Sequence, residues 1–136
     1  MKKLAIILAV FVLGIIGFLF LENKPIEDKS NLIVLDSPLP NEIIKSPVTI
    51  TGRARGFWFF EASFPVRVVD ENNQELAVAA AQAMGDWMTE DFVPFKAEVS
   101  FPRPTGDRGF ILLERDNPSG LPENADQLTI PVRFAP

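Results

Sequence analysis

The chain begins with a hydrophobic pattern that does not recur: two lysines, then an uncharged apolar run from Leu4 to Leu21. As a helix this run would be about 27 Å long, the short end of what crosses a bilayer. Positive charge before such a run holds the N-terminus in the cytoplasm, so the pattern predicts that the rest of the chain lies outside it. The run ends in large residues, Phe18 to Leu21, where a signal peptidase needs small ones. This favours an uncleaved, single-pass membrane anchor over the alternative, a cleaved signal and secretion.

After a polar linker, residues 22–30, the pattern changes to the two-residue period of β-strands. Residues 95–101 alternate without an error, with Phe, Ala, Val and Phe on one face and Lys, Glu and Ser on the other. Residues 128–134 alternate again, with Pro131 on the polar face. Because proline cannot donate to a ladder, this strand is predicted to lie near a sheet edge. The other predicted strands are residues 31–35, 48–52, 64–69, 75–83 and 109–114.

The strand pattern predicts an all-β domain over residues 31–136, an immunoglobulin-like antiparallel β-sandwich of about seven strands. Residues 75–83 carry competing signals, because their alanines favour a helix by propensity. That segment is short and has no clear helix cap, so we interpret it as a strand. The predicted organisation is therefore an anchor or signal segment (1–21), a linker (22–30) and one sandwich domain.

Composition excludes most catalytic chemistry, because the chain contains no Cys and no His. It therefore lacks disulfides, thiolate or imidazole metal sites, and the Ser-His-Asp and Cys-His arrangements. A Ser-Lys pair is the remaining nucleophilic option, but Lys96 falls on the solvated face of a predicted strand. We expect a protein that is not an enzyme and that uses no cofactor.

The net charge of −5 narrows the choice of partner. Phosphate backbones require a basic surface, so the acidic balance predicts no nucleic-acid partner. It also disfavours a domain that lies flat on anionic lipid. The expected partner is a protein or another cell-envelope component.

The acidic stretch 114–126 offers carboxylates and asparagine amides, hard oxygen ligands that extracellular modules use to bind Ca²⁺ weakly. The register of an EF-hand loop is absent. The favoured alternative is a long connection between the last two strands, in which Asn117-Pro118 starts a turn and Gly120 takes a positive φ. The weak calcium candidates are Asp116, Asn117, Glu123 and Asp126.

Residues 57–60 are four consecutive aromatics, which the alternation of a strand cannot bury together on one face. The favoured interpretation makes Trp58 the tryptophan that packs between the sheets of an immunoglobulin-like domain. In the competing interpretation, exposed aromatics form a partner surface together with a loop around Trp87. The candidate binding residues on this second interpretation are Phe57, Phe59, Trp87 and Met88, with Phe92 beside them.

Arg53 and Arg55 precede the aromatic block and are predicted to share one face of an extended segment. Their guanidinium groups suit bidentate contacts to a carboxylate or an anionic wall polymer. On this acidic chain the favoured alternative is an ion pair with nearby acids such as Glu61 or Glu114.

Five motifs together resemble the immunoglobulin-like domain associated with bacterial spore germination, the second Gmad domain type. The resemblance runs from about Asn31 to the C-terminus. It implies a sandwich on the outer face of a bacterial membrane, with no catalytic motif. The motifs are SPVTITGRARG (46–56), WFFEASFPV (58–66), GDWM (85–88), LERDNPSG (113–120) and IPVRF (130–134).

We therefore predict a membrane-tethered, non-catalytic module that binds a protein or cell-envelope component, with spore germination as the context that the resemblance implies. The alternative is a structural spacer or self-assembling subunit without a separate ligand. Such a subunit would pair through a sheet edge or through the aromatic residues.

Overall fold

The computed structural model describes residues 27–136, so the predicted anchor over 1–21 and residues 22–26 of the linker lie outside it. Within that range no helix is long and apolar enough to cross a membrane. Two short 3₁₀ helices, Gly56–Trp58 and Pro122–Asn124, interrupt a chain of strands. The strands are β1 (Ile33–Ser37), β2 (Ile43–Ile44), β3 (Val48–Arg55), β4 (Ser63–Asp70), β5 (Glu75–Ala83), β6 (Phe92–Val99), β7 (Arg108–Glu114) and β8 (Gln127–Phe134).

Hydrogen bonding runs through these eight strands in the order β1-β3-β6-β5-β4-β7-β8-β2, so the fold is one curled sheet. Among the long strands the shortest pairing joins β5 to β6, where Gln82 pairs with Lys96 and Ala83 with Phe95. This seam separates a β1-β3-β6 half from a β5-β4-β7-β8 half. In an immunoglobulin-like sandwich the first, second and fifth strands lie in one layer. If the two-residue β2 is left out of the count, these are β1, β3 and β6, so the order is consistent with that fold. The all-β prediction is confirmed.

The core lies between the two halves, because the inward positions of the long strands are apolar. Ile50, Val66 and Ile111, from three different strands, are inaccessible to solvent. The ring of Phe64 meets that of Phe95 edge-on, with centroids 4.9 Å apart. Because no disulfide is present in this chain, burial of apolar surface, at about 25 cal/mol per Å², is the main source of stability.

The alanine-rich segment 75–83 is a strand, as predicted, because a tight hairpin fixes it to β4. The buried carboxylate of Asp70 accepts hydrogen bonds from the backbone N–H groups of Asn72 and Gln74, both at 2.9 Å. Asn73 takes a positive φ of 63°, which asparagine tolerates. Seven paired positions along β4 then outweigh a helix propensity of a few tenths of a kcal/mol per residue.

The strand bounds differ from the prediction in several places: β1 is shifted by two residues, and β3 runs three residues further, to Arg55. Strand β6 begins at Phe92 and ends at Val99, because the N–H of Phe101 donates to Oγ of Ser46 (2.9 Å) rather than to a ladder. The two-residue strand β2 was not predicted; it runs parallel to the last two residues of β8. Since β2 covers β8 only there, Pro131 has no strand partner on its outer side, which agrees with the predicted position near an edge.

Candidate binding surface at the loop end

Four segments meet at one end of the sandwich, which we call the loop end. They are residues 27–32, residues 55–62 (the last residue of β3 and the connection that follows it), and the connections 84–91 and 115–126. They meet because β1, β4, β6 and β8 begin at this end, whereas β3, β5 and β7 finish there. In variable immunoglobulin domains, loops clustered at one end form the binding site.

Backbone hydrogen bonds join three of these segments into one frame. The N–H of Gly56 donates to the carbonyl of Asp91 (3.1 Å), and the N–H of Asp116 donates to the carbonyl of Trp58 (3.0 Å). Gly56 has no room for a side chain, because an added Cβ would overlap the carbonyl oxygens of Trp87 and Thr89. The 84–91 connection therefore packs directly on the 3₁₀ helix.

This 3₁₀ helix decides which of the four consecutive aromatics are exposed. Trp58 is fully buried, which confirms the core interpretation, and Phe59 is only 3% exposed. Phe57 and Phe60 are 43% and 41% exposed. The prediction that Phe59 is a surface binding residue is therefore wrong, because the turn replaces the strand alternation on which it depended. The missed residue is Phe60, which lies just after the turn and whose backbone pairs with Ser63.

The 84–91 connection is a loop, as predicted, and it presents Trp87 and Met88. Trp87 is half-buried, and its ring lies edge-on to Phe60 with centroids 6.4 Å apart. Met88 is 77% exposed, and its N–H donates to Oδ1 of Asp86 (3.0 Å), which fixes the turn. Met84, at 62% exposed, was not predicted. We call Phe57, Phe60, Met84, Trp87 and Met88 the apolar rim.

Arg53 and Arg55 lie on the same face, as predicted, and both cover Phe92. Their guanidinium carbons are 5.5 and 4.0 Å from the centre of that ring, within cation–π range. Nε of Arg55 also donates to the carbonyl of Asn31 (3.0 Å), which ties the entry segment to the end of β3. Phe92 is thus shielded by arginines and does not belong to the apolar rim.

The favoured ion pair with a nearby acid forms at Arg53, but the two acids named as examples, Glu61 and Glu114, are not its partners. Arg53 lies 3.6 Å from a carboxylate oxygen of Asp36 on the neighbouring strand β1. Glu114 instead accepts a hydrogen bond from Nε of Arg67 (2.8 Å). Glu61 is in the turn before β4 with a positive φ of 50°, and none of the ion pairs within residues 27–136 includes it.

Two of the four predicted calcium ligands, Asp126 and Asn117, bind other groups of the domain. Oδ1 of Asp126 accepts a hydrogen bond from Nζ of Lys29 (2.6 Å), which raises the pKa of that lysine. The side-chain amide of Asn117 donates to the carbonyl of Leu121 (2.8 Å). Gly120 has the predicted positive φ, 68°. Across residues 27–136 no three acidic side chains group as a metal site requires. The remaining two candidates, Asp116 and Glu123, lie in the same 115–126 connection.

Comparison with known proteins assigns the family. A sequence model of the immunoglobulin-like domain of bacterial spore germination matches residues 32–120, more than half of the chain. No curated protein and no solved structure shows significant similarity. The matched region spans β1 to β7 and includes the whole apolar rim. The chain belongs to the family of immunoglobulin-like domains of bacterial spore germination.

Proposed function

We propose that this protein is a membrane-tethered, extracytoplasmic module that binds a protein or cell-envelope component through its loop end. Family membership supports a context in bacterial spore germination. The apolar run from Leu4 to Leu21, preceded by Lys2 and Lys3, supports a single-pass anchor with the domain outside the cytoplasm.

The apolar rim carries this proposal. Phe57, Phe60, Met84 and Met88 are each more than 40% exposed, although large apolar side chains gain free energy by leaving water. Aromatic residues at such positions are typical anchors of protein interfaces. The backbone hydrogen bonds between the loops hold the rim in place, so that binding would lose little conformational entropy.

A non-catalytic role agrees with the side chains available. The chain has neither His nor Cys. For a Ser-Lys pair the chain offers Ser63 or Ser100 with Lys45 or Lys96, and of these Lys45, Lys96 and Ser100 are exposed. The apolar rim offers binding energy but no group suited to nucleophilic or acid–base chemistry.

Photo-crosslinking in membranes of the native host tests the proposal. A photoreactive amino acid would replace Met88 in the full-length chain, and Thr105, exposed at the opposite end of the sandwich, would be the matched control. We expect an adduct with another molecule from position 88 and none from position 105. Equal yields from the two positions, or no adduct from position 88, would contradict binding at the loop end.

A second candidate function, self-assembly, is favoured by the outer face of the β5-β4-β7-β8 half. Val78, 52% exposed, lies in one row with Arg67 and Leu112. Phe110 and Pro131, both partly exposed, form part of the next row. Adducts formed between two copies of the chain would favour this function over binding to a separate partner.

A further inference from the structure

The negative charge of the domain is concentrated at the loop end. The four segments of the loop end carry nine acidic and three basic side chains, whereas the other described residues carry eight acidic and seven basic. Seven of those nine acids are exposed. Within residues 27–136, no lysine or arginine pairs with Asp86, Glu90 or Asp91, which flank Trp87 and Met88.

The basic groups of the loop end, in contrast, are engaged within the domain. Lys29 pairs with Asp126. The guanidinium groups of Arg55 and Arg115 lie over the rings of Phe92 and Phe57, at 4.0 and 5.4 Å from their centres. A molecule that approaches the apolar rim at Trp87 and Met88 therefore meets the carboxylates of Asp86, Glu90 and Asp91, whereas at Phe57 it meets Arg115.

The entry point of the chain places this surface near the proposed anchor. Lys29 is fixed to the loop end by its hydrogen bond to Asp126. Only seven residues separate it from Leu21, the last residue of the apolar run. Fully extended, that stretch of chain covers at most about 30 Å. If Leu21 lies at the membrane surface, the loop end is held within that distance of it, whereas Thr105 lies at the far end.

From these three observations we infer that the loop end binds a basic, amphipathic segment of another protein, presented close to the membrane surface. The inference rests on the proposed function and specifies its partner. Apolar side chains of the segment cover the apolar rim, and its lysines or arginines face Asp86, Glu90 and Asp91. Opposite charges across an interface speed association and exclude partners of the wrong sign.

Charge separates this partner from the other envelope components. Anionic lipid headgroups and anionic wall polymers carry the same sign as the carboxylates beside Trp87 and Met88, so their approach is repelled. For a basic, amphipathic segment, burial of apolar surface and charge complementarity both favour binding. The membrane then acts as the place where domain and partner meet, and not as the ligand.

Tryptophan fluorescence provides the test, because Trp58 is fully buried and Trp87 is the tryptophan that a ligand can reach. The full-length chain in mild detergent is titrated with an amphipathic peptide of lysine and leucine. Two matched peptides are the controls: one has glutamate in place of lysine, the other has serine in place of leucine. Only the first should give saturable binding, weakened by salt.

Charge variants locate the binding. The triple variant Asp86→Asn, Glu90→Gln and Asp91→Asn keeps every side-chain carbonyl oxygen, including the acceptor for the Met88 N–H. It should bind the lysine–leucine peptide roughly tenfold more weakly, the combined effect of three exposed charges. A control that removes three charges at the opposite end (Glu42→Gln, Glu71→Gln, Asp107→Asn) should bind as the wild type does.

Three results of these binding experiments would overturn the inference. Equal weakening in both triple variants, or equal binding of the glutamate peptide, would show that the loop end does not select a basic segment. Binding to phosphatidylglycerol vesicles, lost in a Met88→Ser variant, would assign the surface to lipid. If crosslinking at position 88 still captures a protein, only this inference fails. If position 88 captures nothing, the proposed function fails with it.

Discussion

The close packing of the 84–91 connection on the 3₁₀ helix predicts a large effect of one methyl group. In a Gly56→Ala variant the new Cβ would lie 2.9 Å from the carbonyl carbon of Thr89, and nearer still to the oxygens of Thr89 and Trp87. Ordinary contact begins near 3.4 Å. All of these atoms belong to backbone, so no side chain can rotate away, and the loop itself has to retreat.

The cost can be worked out from the contacts. Overpacking of this kind costs about 1–3 kcal/mol. Retreat of the loop also weakens the hydrogen bond from Gly56 to Asp91, a loss of about 1 kcal/mol. The reduced freedom of the unfolded chain returns about 0.4–1 kcal/mol. The net expectation is a loss of about 1–3.5 kcal/mol with a midpoint of about 2, or about 10 °C in melting temperature for a domain of this size.

Gly85→Ala is the matched control in the same loop, because a Cβ there meets nothing within 4 Å. It should melt at the wild-type temperature or up to about 4 °C above it, since compatible Gly→Ala changes are neutral or stabilise by up to about 1 kcal/mol. Thermal melting of the full-length chain by circular dichroism measures both, and tryptophan emission reports whether Trp87 is displaced. A Gly56→Ala variant as stable as the wild type, or a Gly85→Ala variant equally damaged, would refute the packing argument.

Three further predictions concern single side chains. Trp58→Ala should lower the free energy of unfolding by about 3–5 kcal/mol, as expected for a buried tryptophan, whereas Trp87→Ala should lower it by less than half as much. Equal losses of stability in urea unfolding would contradict the assignment of Trp58 to the core and Trp87 to the apolar rim. Met88→Ser should change the free energy of unfolding by less than about 0.5 kcal/mol yet reduce peptide binding severalfold, and a large loss of stability would remove Met88 from the binding surface. Lys29→Met should destabilise by about 1 kcal/mol at neutral pH. Because the pKa of Lys29 is raised in the folded state, its stabilising contribution is present below the ordinary lysine pKa, about 10.4, and is lost as the pH rises through the folded pKa. The free energies of unfolding of the two proteins should therefore converge in alkali. A difference in stability that stays constant with pH would exclude the ion pair with Asp126.

Much of the fold was predictable because alternation is a local property of the chain. Strand β5 coincides with the predicted 75–83, and β7 and β8 differ by one residue at their starts. The two-residue strand β2 was not predictable, since its pairing with β8 joins residues about 90 positions apart. The single curled sheet likewise depends on the short β5–β6 seam, which no local pattern reveals.

The candidate site was predicted only in part, because its geometry depends on a turn. Trp87, Met88 and Phe57 are placed at the surface as the sequence indicated. Phe59 and Phe60 exchange roles, since one 3₁₀ turn shifts the phase of the alternation. The partner of Arg53 was missed for another reason. Asp36 becomes its neighbour through the pairing of β1 with β3, and that pairing is tertiary information.

The central claim is that the loop end is held next to the membrane. Comparing the distances of the loop end and of the opposite end from the membrane surface tests this claim directly. The chain has no cysteine, so single cysteines at Met88 and Thr105 accept one dye each. Energy transfer from each dye to an acceptor among the lipid headgroups is measured on the full-length chain in native membranes. We predict efficient transfer from position 88 and weaker transfer from position 105. Equal transfer, or stronger transfer from position 105, would contradict the account.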